Sequence, residues 1–321
     1  MSDLRLRPMN RFDELAPGRL GGALPGAPQP SRRDRLRRLV HDWSLEVTPR
    51  TVEALASRAP PPGTQIYITH LPGHPFEEVI ATAERLKTQG YDPVPHLVAR
   101  AIPDRTTLES WLLGLTHRAG VDAVLLLAGS LAAPHGPYAD SLALLEAIDL
   151  RDHGIRRLAM AGHPEGHPQA DAGALEAALI SKRDYAERHG LSAWAVTQFL
   201  FDAEPLLAWH RRLEELALDL PIRAGLPGPA SLATLGKYAL SCGVGASRAA
   251  LARQGKRLLR LARPQPPTRQ VLALAEAPPA GLRLHFYPFG GIAATLDWIE
   301  ALDEGRFTLE ERGDELRVVD P

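Results

Sequence analysis

The sequence predicts an α/β protein of the TIM (β/α)8 barrel type, with an N-terminal extension and a short C-terminal tail. Eight short apolar segments alternate with segments of helical pattern, which is the element count of such a barrel. Several of the apolar segments are continuous hydrophobic runs, as is typical of parallel strands buried on both faces. The composition does not change along the chain in a way that would mark a second globular domain.

Three regions follow from this interpretation. Residues 1–40 form an N-terminal arm and a leading helix, residues 41–302 the barrel, and residues 303–321 the tail. The first 30 residues are rich in Pro, Gly and Arg and have little periodicity, which favours a loose arm. The total of 321 residues is within the range of a single α/β barrel.

The eight strands are predicted from short apolar or alternating runs bounded by turn residues. The second strand alternates β-branched and aromatic residues, and the fourth is a continuous apolar run. The sixth begins at Ala193 and ends in the polar pair Thr197 and Gln198. The predicted strands are 43–47, 65–69, 94–99, 121–127, 156–161, 193–198, 221–224 and 283–287.

The helices are predicted from periodicity and from residues typical of helix ends. Asp104 precedes a helical pattern as an N-cap, Gly90 follows one as a C-terminal glycine, and Pro205 lies near the start of another. The predicted helices are 51–58, 76–89, 104–119, 138–150, 172–189, 204–218, 230–262 with a break around Cys242, and 292–302. In the tail, alternation around Gly313 predicts a small β-hairpin within residues 306–320.

A basic run, Arg32-Arg33-Asp34-Arg35-Leu36-Arg37-Arg38, follows the arm and is preceded by Ser31 as a possible cap. It could bind phosphate or nucleic acid, or form a solvated helix face before the first strand. The net charge of −1 favours the solvated face.

Composition limits the classes of partner and compartment. The neutral net charge gives no general affinity for nucleic acid or an anionic membrane, and no apolar run has transmembrane length. The single cysteine, Cys242, excludes an internal disulfide and fits a reducing compartment. We therefore expect a cytoplasmic protein with no nucleic-acid or membrane partner. The oligomeric state stays open, and a homo-oligomer is compatible with the sequence.

Polar residues recur where the predicted strands end. Because the carboxyl ends of parallel strands meet at one mouth of a barrel, these side chains are expected to surround one site. They are Glu46 on strand one, Thr69 and His70 after strand two, His96 on strand three, Gly129 and Ser130 after strand four, His163 and His167 after strand five, and Thr197 and Gln198 on strand six.

Glu46 is the main candidate for catalysis. A carboxylate between Leu45 and Val47 on an inward-facing strand is partly desolvated. Desolvation raises the pKa of a carboxyl group toward values useful for proton donation. A buried salt bridge, for example with one of the many arginines, is the structural alternative.

The loop after strand five suggests a ligand other than a metal ion. His163, Glu165 and His167 are metal-ligating residue types, but the prolines and glycine between them indicate a turning loop without regular ligand spacing. A planar or phosphate-bearing ligand fits this loop better. The sequence has no dinucleotide-binding glycine fingerprint, phosphate-binding loop or nucleophile elbow. Phe199 could belong to the core or stack on a ligand.

Five segments, in the same order, resemble elements of the methylenetetrahydrofolate reductase family, across residues 43–302. Residues 45–51 (LEVTPRT) resemble its Phe-Glu-Phe-Phe-Pro-Pro-Arg-Thr element, 95–97 (PHL) its Pro-His-Leu, 162–168 (GHPEGHP) its Tyr-Pro-Glu-x-His-Pro loop, 197–202 (TQFLFD) its Thr-Gln-Phe-Phe-Phe-Asp string, and 285–287 (HFY) its His-Phe-Tyr on strand eight. The loop and the strand-six string are the more specific of these segments.

This resemblance implies a barrel that binds FAD at its mouth and uses NAD(P)H to convert 5,10-methylenetetrahydrofolate into 5-methyltetrahydrofolate. Glu46 would be the general acid that opens the imidazolidine ring. Substrate-binding residues would be Gln198, Phe199, Ser130 and Tyr287. Cofactor-binding residues would be Thr69, His96, Gly129, Ser130, Tyr138, Asp140, His163, His167, Lys182 and Arg183.

The chain also departs from the family pattern. The Arg-Gly-Asp after strand four reads Ala128-Gly129-Ser130 here, so that both charges are lost. The tyrosine of the strand-five loop is His163. These changes affect positions that the resemblance assigns to FAD binding. The alternative is the same reaction without flavin, with hydride passing directly from NADH to the folate. A non-catalytic folate-binding barrel and an RNA-associated protein acting through residues 32–38 are alternatives from other classes.

Overall fold

Eight parallel strands close into a barrel in the computed structural model of the chain, which describes residues 30–168, 170–241, 264–309 and 316–319. Each strand pairs with the next in the sequence, and the first pairs with the eighth. This confirms the predicted TIM barrel. The strands are β1 (Ser44–Val47), β2 (Gln65–Ile68), β3 (Asp92–Val98), β4 (Ala123–Leu127), β5 (Arg157–Gly162), β6 (Ser192–Phe199), β7 (Ile222–Pro227) and β8 (Arg283–Tyr287).

Helices surround the barrel in the order expected, with several shifted ends. They are α1 (Arg32–Leu39), α2 (Phe76–Thr88), α3 (Arg105–Leu113), α4 (Ser141–Ala147), α5 (Ala172–Arg188), α6 (Glu204–Glu215), α7 (Leu232–Ser241), α8 (Thr268–Glu276) and α9 (Ile292–Asp303). Short 3-10 turns cover Val52–Ala56 and Ala99–Ala101, and a π-helical turn, Gly114–Arg118, continues α3. The predicted break around Cys242 lies outside the described residues.

The predicted helix 138–150 is wrong at both ends. Asp140 is the N-cap of α4, and its carboxylate accepts hydrogen bonds from the backbone of Leu142 and Ala143. The helix therefore starts at Ser141, because the capping residue adopts extended backbone angles that end the helical pattern on its N-terminal side. Tyr138 lies before the helix and is buried.

Two apolar layers hold the barrel together. The larger lies between strands and helices, and the smaller fills the barrel interior around Tyr67, Leu125, Trp194 and Val196. Inside the barrel, the indole N–H of Trp194 donates to the Tyr67 hydroxyl at 2.8 Å. The interior is therefore a packed core, and it leaves the carboxyl ends of the strands for a site.

Charged side chains meet at the amino ends of the strands. Arg157 donates two hydrogen bonds of 2.7 Å to the Asp92 carboxylate and also pairs with Asp122 at 2.5 Å. Gln65 donates to Asp92 at 3.1 Å. These pairs and hydrogen bonds stabilise the buried guanidinium of Arg157. The cluster lies at the opposite end of the barrel from the polar residues at the carboxyl ends of the strands.

The basic helix α1 packs its apolar side against the barrel and leaves Arg33, Arg37 and Arg38 exposed, in agreement with the solvated face that we favoured. Ser31 caps it in a capping box with Asp34, and Leu36 and Leu39 are buried. The arginine contacts are Arg32 and Arg35 with Glu276 (2.6 Å each), Arg33 with the carbonyl of Phe307 (3.2 Å) and Arg37 with that of Asp303 (2.8 Å). These bonds fasten α1 to α8, α9 and the tail.

The tail contains the predicted hairpin pairing. Its strands β9 (Phe307–Leu309) and β10 (Leu316–Val318) pair antiparallel, and the intervening residues 310–315 lie outside the described part. In the described ranges, no helix has the length and apolar character needed to cross a membrane.

Candidate active site

A cavity of about 1090 Å³ opens at the carboxyl ends of the strands. This volume exceeds the roughly 300–1,000 Å³ that small-molecule pockets usually occupy, so that it can admit a dinucleotide or two ligands together. Of the residues that the sequence analysis placed at the site, all but Tyr138, Arg183 and Thr197 line this cavity. Those lining it are Glu46, Thr69, His70, His96, Gly129, Ser130, Asp140, His163, His167, Lys182, Gln198, Phe199 and Tyr287.

Glu46 lies on β1 and lines this cavity. Its Oε1 accepts a hydrogen bond of 2.6 Å from the Thr69 hydroxyl. Its Oε2 lies 3.4 Å from Nε2 of His285 and 3.6 Å from Nε2 of His96. The side chain is only 16% exposed, so its charge is compensated by these neighbours more than by water. Among the described residues it pairs with no arginine, and the buried pairing of the structural alternative is made with the two histidines.

The expected rise in the pKa of Glu46 is wrong for the chain without ligands. Burial does raise it, but the charge and hydrogen bonding of His96 and His285 outweigh burial and lower the pKa below its usual range. The sequence indicated the desolvation correctly and gave no sign of the two imidazoles that counter it. Glu46 is therefore ionised at neutral pH, and any proton that it donates must first be taken up.

His285 contacts Glu46 and was not predicted as a site residue. It is fully buried on β8, and the register pairs it with Ser44 on β1. Burial lowers its pKa, although the Glu46 carboxylate acts in the opposite direction. A usable signal existed, because His285 and Tyr287 are two residues apart on one strand and must point to the same face.

A second polar group lies beside α5 and the loop after β5. The ammonium of Lys182 is buried, and burial lowers its pKa to about 8 despite the favourable charge of Asp140. It makes no hydrogen bond within the described ranges. The pKa of His163 is lowered to about 4 by burial and by the neighbouring His167 and Lys182. This part of the cavity therefore combines a buried cation with neutral imidazole.

Gly129 shapes the wall next to this group. Its backbone has φ +97°, and a Cβ at this position would lie 2.4 Å from Cγ1 of Val98. Only glycine fits, which explains why the chain can turn here directly after β4. Ser130 follows at the cavity wall as the exposed, uncharged hydroxyl that the sequence indicated.

The wall formed by β6 and β8 is amide and aromatic. Gln198 lines the cavity, and the Tyr287 hydroxyl donates to the carbonyl of Thr197 at 2.9 Å. Phe199 is 1% exposed and packs edge-on against Phe289 at 4.9 Å between ring centres. Phe199 therefore belongs mainly to the core, whereas Gln198 and Tyr287 can reach a ligand.

Two predicted cofactor-binding residues lie outside the cavity lining. Tyr138 is 3% exposed and packs in the core between the barrel and its helices. Arg183 pairs with its neighbour Asp184 at 2.9 Å. Arg183 misses the cavity because consecutive residues of α5 differ by about 100° in direction, and Lys182 takes the inward position.

The cavity is also lined by His70, which the sequence indicated, and by Phe76, Trp111 and Arg100, which it did not. Phe76 and Trp111 stack at 4.1 Å, and His70 lies edge-on to both rings. Arg100 lines the wall and donates hydrogen bonds to the carbonyls of Leu131 and Ala139. These bonds hold the loop after β4 in place. Among the described residues, no group of three His, Cys, Asp or Glu side chains is placed to hold a metal ion.

Comparison with known proteins adds little to this geometry. No protein-family model matches the chain. Among solved structures, it is similar to the carboxyl transferase domain of pyruvate carboxylase from Rhizobium etli, solved with 3-bromopyruvate, at 11% sequence identity and a TM-score of 0.37. The match covers 66% of this chain and 41% of that one, so the chain spans less than half of its length. This similarity is too low to indicate a function.

Proposed function

We propose that the chain is a methylenetetrahydrofolate reductase-type oxidoreductase that interconverts 5,10-methylenetetrahydrofolate and 5-methyltetrahydrofolate with NAD(P)H. The observation that carries the proposal is the Glu46 carboxylate, buried in a large cavity between Thr69 and two imidazoles. A carboxylate beside imidazoles can hold and release a proton at a substrate nitrogen. The motif resemblance given above supplies the identity of the substrate.

The reaction requires one proton and one hydride. Protonation of N10 of the folate allows the bond between N10 and the methylene carbon to break, which leaves an iminium at N5. The hydride of NAD(P)H then converts that carbon into the methyl group. In this scheme Glu46 donates the proton to N10 and becomes a carboxylate, as it is in the free protein.

The folate is expected on the side of β6 and β8. Gln198 offers one acceptor and two donors on a planar amide, which suits the alternating polar edge of a pterin. Tyr287 extends the same wall and lies edge-on to His285 at 4.7 Å between ring centres. A pterin held by Gln198 would therefore lie beside the residues that surround Glu46.

The cation on α5 fits a pyrophosphate. Lys182 is buried and carries no hydrogen bond in the described ranges, so it can donate to a phosphate oxygen. Both FAD and NAD(P)H contain a pyrophosphate, and the residues fit either. For FAD, the contacts would come from Thr69, His96, Gly129, Ser130, His163 and Lys182. Bound FAD would supply a carrier that accepts hydride from NAD(P)H and passes it to the folate.

A flavin-free form of the same reaction is the second candidate. Tyr138 packs away from the cavity, Arg183 pairs with Asp184, and Ser130 brings no charge. Fewer groups are therefore available to FAD than the family pattern requires. Hydride passing directly from NADH to the iminium carbon leaves NAD⁺ and 5-methyltetrahydrofolate, and needs no other redox partner.

Two measurements on the purified protein test the proposal. The first follows NADH oxidation with 5,10-methylenetetrahydrofolate and identifies 5-methyltetrahydrofolate as the product. The second records the visible spectrum before and after addition of FAD. Turnover with a bound flavin spectrum supports the flavin route, and turnover by a colourless protein supports direct transfer. Folate binding without turnover, with or without FAD, would contradict the proposed enzyme and favour a non-catalytic folate-binding barrel.

A further inference from the structure

Three side chains form a buried chain of contacts that runs from Ser44 on β1 through His285 on β8 to Glu46. Nδ1 of His285 lies 3.0 Å from the Ser44 hydroxyl, and Nε2 of His285 lies 3.4 Å from Oε2 of Glu46. Ser44 and His285 are both completely buried. The imidazole therefore has one nitrogen on a hydroxyl and the other on the carboxylate, with no water-exposed surface of its own.

Ser44 has two possible acceptors. Its hydroxyl lies 3.0 Å from Nδ1 of His285 and 3.4 Å from the carbonyl of Leu284. When Ser44 donates to Nδ1, the imidazole carries its proton on Nε2 and donates to the Glu46 carboxylate. When Ser44 donates to the carbonyl of Leu284, its oxygen can accept a hydrogen bond from a protonated Nδ1. The second arrangement accommodates one more proton on the pair formed by His285 and Glu46 than the first.

We propose that His285 and Glu46 hold the catalytic proton as a pair, with Ser44 rotating its hydroxyl to accommodate both charge states. This inference rests on the proposed function, since it concerns the proton that the reaction consumes. His285 acts through Glu46 and is a positioning residue, whereas Glu46 is the group that reaches the substrate.

The proton balance is closed. Between turnovers one proton from solvent enters the open cavity and binds the pair, and Ser44 turns toward Leu284. In the reaction Glu46 transfers a proton to N10 of the folate as the bond from N10 to the methylene carbon breaks. The pair returns to neutral His285 and ionised Glu46, and the hydride comes from NAD(P)H.

The groups around His285 favour its return to the neutral form after the proton is transferred. Tyr67 and Tyr287 lie edge-on to the imidazole at 4.6 and 4.7 Å, and burial raises the pKa of Tyr67 to about 12, so that it stays neutral. Arg223 and His96 both oppose a positive charge on His285. Glu46 is the opposing negative group. The extra proton is therefore held weakly, which suits its release to the substrate.

The test compares single-residue variants with the wild-type protein across about pH 6 to 9, where imidazole titrates. His285→Gln can still donate to Glu46 but cannot titrate, and Ser44→Ala removes the rotating hydroxyl. His210→Gln is the matched control, because it breaks a His–Glu pair with Glu214 on α6, outside the cavity lining. The readouts are the rate of folate reduction in a single turnover, its pH profile and its solvent isotope effect.

We expect His285→Gln to slow folate reduction about 10- to 100-fold and to remove the pH-dependent limb that belongs to the pair, with little change in KM. Ser44→Ala should move that limb along the pH axis. In His285→Ala, added imidazole should restore part of the rate. Wild-type rate and pH profile in His285→Gln, together with an inactive Glu46→Gln, would overturn the pair while leaving the proposed function intact.

A second readout does not depend on turnover. In protein labelled with ¹³C at glutamate and ¹⁵N at histidine, NMR follows the Glu46 carboxyl and the His285 ring nitrogens through a pH titration. A pair gives changes in both residues at the same pH values. Separate titrations, with Glu46 unchanged by His285→Gln, would overturn the inference even if the protein were no reductase.

Discussion

The hydroxyl of Thr69 donates a 2.6 Å hydrogen bond to Oε1 of Glu46. This bond fixes one carboxylate oxygen against β2 and turns the other, Oε2, toward His285 and His96. The two oxygens therefore have different roles. Oε1 is held by the Thr69 hydroxyl, and Oε2 faces the imidazoles of His285 and His96.

Replacing the carboxylate of Glu46 should remove the activity and keep the fold. Glu46→Gln has the same shape and can still accept from Thr69, but it cannot donate a proton to N10. Loss of a general acid costs about 100- to 10,000-fold in rate, so we expect folate reduction to fall by that amount. NADH oxidation with folate as acceptor measures the rate, and circular dichroism and thermal melting check the fold.

The oxidation of NADH by an artificial acceptor supplies the control for Glu46→Gln. If a flavin is bound, this half of the reaction needs no proton from Glu46 and should continue in the variant. A variant that still reduces the folate at the wild-type rate would contradict the assignment of Glu46 as the acid.

Gln198→Ala should weaken folate binding and spare the dinucleotide. The amide lines the wall next to Tyr287, and its loss removes hydrogen bonds to the pterin. At about 0.5–1.5 kcal/mol for each neutral bond, we expect KM for folate to rise roughly 3- to 10-fold. Steady-state kinetics with both substrates varied measure this. An equal rise in KM for NADH would mean that Gln198 acts through the whole cavity instead.

The sequence predicted the barrel and most of its cavity because both depend on local patterns. Buried parallel strands appear as apolar runs, and polar residues at their carboxyl ends must converge at one mouth, as Glu46 and Gln198 do. The pKa of Glu46 was predicted in the wrong direction, because it depends on His285 and His96, which lie far away in the sequence. Tyr138 and Arg183 were misplaced because their direction depends on exact helix ends and phase, which periodicity gives only approximately.

Lys182→Met should weaken binding of the phosphate-bearing cofactor. A charge-assisted hydrogen bond contributes about 1.5–3 kcal/mol, so we expect the affinity for NADH, or for FAD if it binds, to fall roughly 10- to 100-fold. Arg183→Met is the matched control, because Arg183 is the next residue on α5 and pairs with Asp184. Fluorescence titration gives both affinities. Equal losses in the two variants would show that the effect is a general loss of positive charge.

Lys182 should also make stability depend on pH in a defined window. Its pKa is 10.5 in the unfolded chain and about 8 in the folded protein, so the unfolded chain binds more protons between these values. Stability from this group therefore rises with pH from about 8 to 10.5. At neutral pH the buried charge costs roughly 3 kcal/mol at 1.36 kcal/mol per pKa unit.

Urea unfolding of wild-type protein and Lys182→Met measures this effect. Without ligand at neutral pH, we expect the variant to have the larger free energy of unfolding, by up to about 3 kcal/mol. The difference should shrink as the pH rises above about 8. A difference that stays constant up to about pH 10 would mean that packing of the methionine, rather than the charge of the lysine, causes it.

Thr69→Val tests whether the fixed oxygen of Glu46 contributes to proton transfer. Valine has nearly the same shape as threonine, but it leaves Oε1 without its 2.6 Å hydrogen bond. Loss of a bond to an ionised group disfavours the ionised form, so the pKa of Glu46 should rise. We expect the folate-reduction rate to fall roughly tenfold, since a carboxyl group that is free to rotate presents Oε2 to the substrate less often. Thr69→Ser keeps the hydroxyl and should behave like wild type, whereas equal losses in both variants would assign the effect to altered packing at this position instead of the lost hydrogen bond.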